Sequence, residues 1–449
     1  MSFLHANPAT TLRAFPVSTL YRQCDPAIKA LRTLRHERHL WIFAIAAFFI
    51  GASLRFSYPE DIEYKHDERW MFETTQAVAG GAELPVVGMP SSQGIANPGL
   101  SVWAFIGLQK VSGAKTPVQL AQAVQAVNVA AILLLLLFIA LAVPPGERAG
   151  WVWGAGLVCV SPLSVLFHRK IWAQSVLPLF AMVFVVGWWY RKKHWSAAFV
   201  WGATGALLGQ VHMAGFFLAA AVLAWTVLFD PDRKGVSWAS WSAGSMLGAL
   251  SLIPWFVEAS RQVGQGGPSF HISAWFNLKW WNYWVSNSTG LTMEHSLGAH
   301  FWSFLKYPLI GRQPTYLVAV LHVVLSLCTL YVLWLVIRHL RGNRGTWSRL
   351  FIGRGSDASF LINSYFWGCG ILITAFGVLI QRHYLLVAFP LTYVWFARFL
   401  ADDSRRGARV FAVLWSAQLL VSLLFLYYIH ANGGAPSGDY GASYSAATR

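Results

Sequence analysis

Residues 40–70 read LWIFAIAAFFIGASLRFSYPEDIEYKHDERW, an apolar run that passes directly into the densest acidic cluster of the chain. The apolar run, Leu40 to Phe56, is close to the length that a helix needs to cross the hydrocarbon core of a membrane. Adjacent carboxylates at a membrane boundary can transfer protons, bind a metal ion or simply stay hydrated, depending on the side that they face. The cluster contains Asp61, Glu63, Asp67, Glu68 and Glu73.

The composition around this stretch is that of a membrane protein. Of the 449 residues, 56% are hydrophobic, 12% are charged and 24 are tryptophan, which excludes an ordinary soluble domain. The net charge of +16 fits cytoplasmic loops, and we predict no nucleic-acid partner. The four cysteines do not predict a disulfide framework. A basic segment precedes the first apolar run, which does not fit a cleavable signal peptide.

Apolar segments of roughly 20 residues recur along the chain and predict an all-α polytopic membrane protein. We expect about eleven transmembrane helices, at 40–56, 118–143, 149–167, 173–190, 195–210, 212–229, 238–257, 315–337, 359–380, 383–400 and 408–429.

The basic residues assign the two sides of the membrane, because cytoplasmic loops carry an excess of Lys and Arg. We place the basic tail 1–38 in the cytoplasm. The exception to the rule is Arg169-Lys170, which falls at an outer turn and is therefore a candidate for function. The other short basic clusters then lie in cytoplasmic loops: Arg148, Arg191-Lys192-Lys193, Arg233-Lys234, Arg338 to Arg354, and Arg398 to Arg409.

This topology divides the chain into a transmembrane domain, 39–430, and a C-terminal segment, 431–449, that we expect to be a flexible outer tail. Two long loops, 57–117 and 258–314, fall on the outer face. We expect the protein in the bacterial inner (plasma) membrane, with its functional site on the periplasmic side.

The two outer loops differ in character. In the first loop, the weakly amphipathic stretches 67–79 and 98–111 predict helices that lie along the membrane surface. The second loop is rich in aromatic residues. Its tryptophans either anchor the protein at the interface or offer flat faces to a sugar or lipid acceptor. We predict acceptor binding by Trp280, Trp281, Trp284 and His66.

Three segments carry a resemblance to a known group of enzymes. Asp67-Glu68, after a first span that starts in the cytoplasm, is followed by Ala77, Gly80-Gly81 and Pro85. This pattern resembles the polyprenyl-phosphate-sugar-dependent GT-C membrane glycosyltransferases, notably the protein O-mannosyltransferases and the lipid A aminoarabinose transferases. The resemblance covers roughly residues 40–400 and implies a GT-C-like bundle. Two further similar segments are Ser161-Pro162 with Phe167-His168-Arg169-Lys170-Ile171-Trp172, and Gln381-Arg382-His383-Tyr384-Leu385-Leu386 with Pro390.

The chemistry of such a donor sets the requirements of the site. A sugar linked to polyprenyl phosphate brings its own leaving group, whose negative charge must be met by fixed cations. The acceptor hydroxyl of a lipid, glycan or protein must lose its proton to a carboxylate. We predict Asp67 as the general base, inversion at the anomeric carbon, and Glu68 as a residue that orients the acceptor or pairs with a cation. Donor-phosphate binding is predicted for Arg169, Lys170, Arg382 and His383.

Each assignment has a simpler alternative. Asp67 could cap the helix that follows it, and Arg169-Lys170 could reach out to lipid headgroups. Arg382-His383 could be an ordinary interfacial charge. The sequence predicts no specific cofactor, and it leaves open whether a divalent cation assists the donor phosphate. We predict no metal site, because His66, Asp67 and Glu68 would need a distant third partner at His271, His295 or His300.

Two other functions compete with glycosyl transfer from a monophosphate donor. A lipid-linked oligosaccharide polymerase or ligase would use the second outer loop, which carries Arg261, His271, His295, His300 and Arg312. A transporter would place ionisable residues within the membrane or show a repeat. The sequence shows its charges at the ends of the spans, so a transporter is the more distant alternative.

Overall fold

The structure is a computed structural model, and it describes residues 37–90, 96–262, 276–343 and 346–448. The predicted cytoplasmic tail 1–38 lies almost entirely outside the described residues, and so does His271.

The first part of the described chain is helical apart from one hairpin in the first outer loop. The strands β1 (Val87–Pro90) and β2 (Ala96–Pro98) pair antiparallel. The helices are α1 (Arg38–Phe56), α2 (His66–Ala79), α3 (Leu100–Ser112), α4 (Pro117–Ala142), α5 (Arg148–Val160), α6 (Pro162–Phe167), α7 (Leu177–Tyr190), α8 (Trp195–Val211), α9 (Ala214–Phe229), α10 (Trp238–Ala249) and α11 (Ile253–Gln262). Short 3₁₀ turns lie at Pro145–Glu147, Ala173–Val176, Arg233–Gly235 and Leu250–Leu252.

The second part combines short helices of the late outer loop with long helices. Two short hairpins, β3 (Leu309–Ile310) with β4 (Gln313–Pro314) and β5 (Gly434–Ala435) with β6 (Gly441–Ala442), are antiparallel. A π-helical segment, Ser364–Cys369, and a 3₁₀ segment, Arg382–Ala388, interrupt the α-helices. The helices are α12 (Lys279–Thr289), α13 (Met293–Leu297), α14 (His300–Phe304), α15 (Leu317–Gly342), α16 (Trp347–Ile352), α17 (Asp357–Asn363), α18 (Gly370–Ala375), α19 (Leu391–Asp402), α20 (Ser404–Asn432) and α21 (Tyr444–Ala447).

The chain is an integral membrane protein with an all-α transmembrane bundle. Within the described ranges, six helical segments are long and apolar enough to cross a membrane. A seventh is added if the bent pair Arg382–Ala388 and Leu391–Asp402, with 76° between its halves, counts as one span. The six are Arg38–Phe56, Pro117–Ala142, Ala173–Tyr190, Leu317–Gly342, Asp357–Ala375 and Arg406–Asn432.

We expected eleven spans, whereas six or seven segments of the described residues are long and apolar enough to cross a membrane. The other predicted spans are shorter or interrupted helices. The predicted span 149–167 is divided at Ser161, where the backbone leaves the helical conformation and Pro162, which has no N–H to donate, starts a new helix. The spans 195–210 and 212–229 correspond to α8 and α9, which are separated at His212, where the backbone is extended. The span 238–257 is divided by the 3₁₀ turn Leu250–Leu252.

The two helices predicted in the first outer loop are confirmed as α2 and α3. The C-terminal segment differs from the expected flexible tail, because it folds over the first outer loop. Strands β5 and β6 form a hairpin, and the backbone N–H of Tyr444 donates to the carbonyl of Ile62 at 2.9 Å. The sequence of this segment is rich in Gly, Ser and Ala, and such composition does not reveal a partner elsewhere in the chain.

Candidate functional site

The two acidic residues of Asp67-Glu68 face different surroundings. Helix α2 begins after its N-cap Lys65, and the Glu68 carboxylate reaches back to accept from the Lys65 backbone N–H at 3.2 Å. Asp67 is the second residue of the helix, so the alternative that Asp67 caps it is wrong. The side chain of Glu68 is fully buried, whereas that of Asp67 is 39% exposed and, among the described residues, pairs with the neighbouring His66 at 3.4 Å.

Glu68 belongs to a buried ionic cluster with Glu63 and Lys170. The sequence Asp67-Glu68 alone does not reveal this cluster. The ammonium group of Lys170 lies 2.8 Å from Glu63 and 3.5 Å from Glu68, and all three side chains are buried. Lys65 forms a second ion pair with Glu63 at 3.0 Å. Burial and the neighbouring Glu63 raise the pKa of Glu68 to about 7, against the opposing effect of Lys170. Glu68 can therefore change its protonation state near neutral pH.

Lys170 and Arg382 both lie near the ring of Phe167. The Lys170 ammonium is 5.8 Å from the centroid of the Phe167 ring, and the Arg382 guanidinium is 5.5 Å from the same centroid. Lys170 also lies 4.4 Å from the ring of Trp172. Cations placed over aromatic faces are attracted by the ring quadrupole. The structure thus brings together two of the predicted phosphate-binding cations, which are more than 200 positions apart in the sequence.

Arg382 has partners from both the late outer loop and the C-terminal segment. Its guanidinium donates to the carbonyl of Thr292 at 3.0 Å and pairs with Asp439 at 3.3 Å. The Asn287 amide donates to the carbonyl of Arg382 at 2.9 Å. Asp439 is 67% exposed. This carboxylate can therefore leave Arg382 at little cost in buried contacts.

His383, the fourth predicted phosphate ligand, lies in an aromatic environment beside this pair. Its ring is 4.6 Å from that of Trp172 and 5.7 Å from that of His212. The Trp172 ring also contacts the Lys170 ammonium, so His383 lies close to Lys170. No ion pair joins His383 to a described residue.

Arg169 has a different environment from its neighbour. It is buried and donates to the backbone carbonyls of Leu54, Ser57 and Tyr58 at 3.1, 2.6 and 2.9 Å. These carbonyls lie in and just beyond the last turn of α1, where helix carbonyls lack intrahelical N–H partners. Its donors are thus used at the end of a helix, and its burial does not fit the alternative of snorkelling to headgroups.

Arg55 and His168 are site residues that the sequence analysis did not identify. Arg55 is fully buried and donates its Nε–H to His168 Nδ1 at 3.0 Å, with further bonds to the carbonyls of Val158 and Cys159. Because Nδ1 accepts, the neutral imidazole carries its proton on Nε2. That nitrogen has no hydrogen-bond partner among the described residues. His168 lines a small cavity of about 30 Å³ together with Arg382.

A signal for these two residues was present in the sequence. Arg55 is a cation at the predicted outer end of the first span, on the side where the positive-inside rule expects few short basic clusters. His168 stands in the segment that supports the family resemblance, next to Arg169. Their contact depends on the close approach of α1 and α5, which cannot be read from either helix separately.

The three tryptophans predicted to bind the acceptor are part of the protein core. Trp280 and Trp284 are fully buried, and Trp281 donates its indole N–H to the carbonyl of Phe366 at 3.0 Å. A side chain at Gly370 would come within 2.6 Å of Trp280. In this structure the faces of Trp280 and Trp284 are closed to an acceptor, and they are also not an interfacial belt. His66, in contrast, is 88% exposed.

The C-terminal segment supplies the other unexpected contacts. The Tyr440 hydroxyl donates to the carbonyl of Asp61, and Ser445 donates to the Asp61 carboxylate at 2.8 Å. His430, in the last turn of α20, lies 2.6 Å from the same carboxylate. The Lys65 ammonium donates to the carbonyl of Asp439. This segment therefore closes one side of the cation cluster.

In the parts of the chain that the structure describes, no group of three or more His, Cys, Asp and Glu side chains could hold a metal ion. His66 and Asp67 approach each other, but Glu68 points into the protein towards Lys170.

No protein-family model matches the chain. No curated protein matches it in sequence. Its structure is similar to that of the archaeal oligosaccharyltransferase AglB from Archaeoglobus fulgidus in complex with an inhibitory peptide and a dolichol-phosphate, at 14% identity and a TM-score of 0.47, over 91% of this chain and 56% of that one.

Two further solved structures of the Archaeoglobus fulgidus oligosaccharyltransferase are similar. The complex with Zn and sulfate has 14% identity and a TM-score of 0.48, over 85% of this chain and 52% of that one. The form tethered to an acceptor peptide has 17% identity and a TM-score of 0.46, over 90% of this chain and 55% of that one. The chain thus spans a little over half the length of these proteins. At these identities and TM-scores the similarity does not establish the activity of this chain.

Proposed function

We propose that this protein is a membrane glycosyltransferase that moves a sugar from a polyprenyl-phosphate-linked donor to an acceptor hydroxyl. The single observation that carries the proposal is that Lys170 and Arg382 both lie within 6 Å of the Phe167 ring, with Glu63 and Glu68 beside Lys170. A phosphate monoester leaves well when fixed cations meet its charge in a site that excludes water. Two cations from distant parts of the chain, both buried, meet this requirement.

Arg382 is the cation best suited to bind the donor phosphate. Its planar guanidinium can form two parallel hydrogen bonds with phosphate oxygens. Asp439, the carboxylate that pairs with it, is largely exposed and can be exchanged for the phosphate. Lys170 keeps Glu63 and Glu68 as partners and contributes a point charge nearby.

Asp67 is the proposed general base. Its carboxylate is partly exposed in the first turn of α2, where an acceptor can approach it. As the acceptor oxygen attacks the anomeric carbon, Asp67 takes the hydroxyl proton. The bond from that carbon to the phosphate oxygen breaks, and its electron pair leaves with the polyprenyl phosphate. Displacement in one step inverts the anomeric configuration without a covalent sugar–enzyme intermediate.

The neighbouring residues have supporting roles in this scheme. Glu68 and Glu63 hold Lys170 in place, and Arg169 fixes the end of α1. His66, next to Asp67 and exposed, is positioned to contact the acceptor. A lipid, glycan or protein acceptor meets the same chemical requirement, which is a hydroxyl group within reach of Asp67.

The orientation in the membrane is part of the proposal. Helix α1 starts beside the ion pair of Glu37 with Arg148, at 3.1 Å, and ends beside Arg169. Its 19 residues separate the two ends by roughly 28 Å. Since the end with Arg148 carries the basic loops, we assign it to the cytoplasm and the Lys170–Arg382 end to the outer face, in a bacterial inner membrane.

A lipid-linked oligosaccharide polymerase or ligase is the second candidate, because the late outer loop contacts Arg382. The carbonyl of Thr292 and the amide of Asn287 both bond to this residue. In that case a residue of the late loop, such as His295 or His300, would act on the acceptor. The two functions share the donor-phosphate site and differ in the base.

Replacing Asp67 by Asn distinguishes them. We expect Asp67→Asn to reduce transfer from polyprenyl-phosphate hexose and pentose donors by 10²–10⁴-fold, the usual contribution of a general base. Binding of polyprenyl phosphate should remain unchanged, because Asp67 does not contact the cations. The matched control is Glu73→Gln, an exposed carboxylate on the same helix, which should transfer at the wild-type rate. Full turnover by Asp67→Asn would contradict Asp67 as the general base and favour a residue of the late outer loop.

A further inference from the structure

A large cavity lies away from the Lys170–Arg382 cluster. Its volume is about 500 Å³, within the range of cavities that bind small molecules. Helix α19 starts just after the Arg382 segment and ends at Asp402, which lines this cavity. The cavity is therefore at the opposite end of α19 from the candidate site, on the side proposed to be cytoplasmic.

The inner wall of the cavity is aromatic. The rings of Phe366 and Trp395 are stacked, with centroids 5.6 Å apart and 10° between planes, and Trp367 lies beside them. Phe366 and Trp367 belong to the π-helical segment Ser364–Cys369. Such segments are rare and are frequent at functional sites. Hydrocarbon chains fit a wall of this kind.

The rim of the cavity carries unused donors. Arg398 is half-buried, and among the described residues its guanidinium bonds only to the Ser359 hydroxyl, at 2.9 Å. Arg354 is exposed and has no ion pair or hydrogen bond to the described part of the chain. The carboxylate among the lining residues is Asp402, so the formal charges of Arg354, Arg398 and Asp402 sum to one positive unit.

The helices that carry the lining residues Val336, Leu340 and Leu350 also expose apolar side chains. Ile337, Leu340 and Phe351 are 47, 37 and 39% exposed. Exposed apolar residues next to the end of a membrane-spanning helix indicate that a ligand can enter sideways from the lipid. The occupant should thus combine hydrocarbon chains with a headgroup of one negative charge.

We propose that this cavity binds an anionic phospholipid. The phosphodiester bonds to Arg354 and Arg398 at the rim, and an acyl chain lies against Phe366, Trp367 and Trp395. The net charge of the rim matches the single negative charge of phosphatidylglycerol, whereas phosphatidylcholine is neutral overall. This site does not depend on the proposed glycosyl transfer.

Native mass spectrometry of the full-length protein tests the proposal, with equimolar phosphatidylglycerol and phosphatidylcholine added in detergent. We expect the wild type to retain one phosphatidylglycerol in preference to phosphatidylcholine by at least about fivefold. Arg354→Gln, at an exposed position that does not affect folding, should lower this preference severalfold, and Arg354→Gln with Arg398→Gln should abolish it. Leu350→Trp, which fills the cavity, should remove the bound lipid altogether.

The matched control is Lys193→Gln, an exposed cation in another loop on the same proposed side of the membrane. It should bind phosphatidylglycerol like the wild type. Equal retention of the two lipids would overturn the proposal in favour of a site for hydrocarbon alone, such as the end of a polyprenyl chain. An unchanged preference in Arg354→Gln and in the double variant would overturn it as well.

Discussion

Glu68 shows how one buried carboxylate can affect the whole site. Its pKa is raised to about 7 because it is buried and lies near Glu63. The folded protein therefore holds the proton more tightly than the unfolded chain, for which the pKa is 4.5. The stabilisation is complete below pH 4.5 and is lost as the pH rises to about 7.

We expect the free energy of unfolding of the wild type to fall by roughly 3 kcal/mol between pH 4.5 and 7, relative to Glu68→Gln. Thermal unfolding in detergent at a series of pH values measures this difference. Glu73→Gln, whose carboxylate is exposed on the same helix, should keep the wild-type dependence. Parallel curves for the wild type and Glu68→Gln would show that folding does not shift the pKa of Glu68.

Arg169 and Arg382 were equivalent in the sequence analysis, but their contacts differ. Arg382 pairs with an exposed carboxylate, while Arg169 donates to three carbonyls at the end of α1. We expect Arg382→Gln to weaken binding of polyprenyl phosphate by at least tenfold, since a charge-assisted contact is worth about 1.5–3 kcal/mol. Arg169→Gln should lower the melting temperature and leave that affinity unchanged. If Arg169→Gln weakened binding of polyprenyl phosphate and Arg382→Gln did not, Arg169 would be the phosphate-binding residue.

At the scale of elements, the site depends on the contact of α1 with α5. Gly51 lies so close to α5 that a Cβ would meet the Cβ of Cys159 at 2.8 Å and its Cα at 2.9 Å. One turn later, Arg55 reaches the carbonyls of Val158 and Cys159. The glycine thus permits the approach that brings Arg55 to His168.

We expect Gly51→Ala to destabilise the protein by about 1–3 kcal/mol, because the methyl group forces the helices apart. The matched control is Gly107→Ala in α3, where no atom lies within 4 Å of the added Cβ. That change should be neutral or stabilise by up to about 1 kcal/mol through helix propensity. Melting temperatures of both variants check the difference, and equal stability would refute the tight contact.

The sequence predicted single elements well where hydropathy alone determines them. The first span and the long helices α4, α15 and α20 follow continuous apolar runs, which have few alternatives in a membrane. The breaks at Ser161 and at Leu250–Leu252 were missed, because local backbone geometry interrupts a helix there within an apolar run. The break at His212 agrees with the predicted boundary between two spans. Acidic Glu68 and basic Lys170 were both candidates, but their pairing requires knowledge of the tertiary structure.

For the whole molecule, the sequence could not predict which segments meet. Trp280 and Trp284 were expected at the surface because they lie in a loop, yet the loop folds into the bundle and buries them. The C-terminal segment was expected to be flexible from its composition, yet Tyr440 and Ser445 bond to Asp61. Long-range contacts of this kind leave no periodic signal in the sequence.

The two ends of the molecule have separate proposed ligands, a donor phosphate at Arg382 and a phospholipid at Arg354 and Arg398. A structure determined with polyprenyl phosphate therefore tests the central claim most directly. We predict the phosphate within hydrogen-bonding distance of Arg382, near Lys170 and over the Phe167 ring, with Asp439 displaced. A phosphate bound only at the cavity lined by Arg354 and Arg398, with the Arg382–Asp439 pair intact, would contradict the proposed donor site.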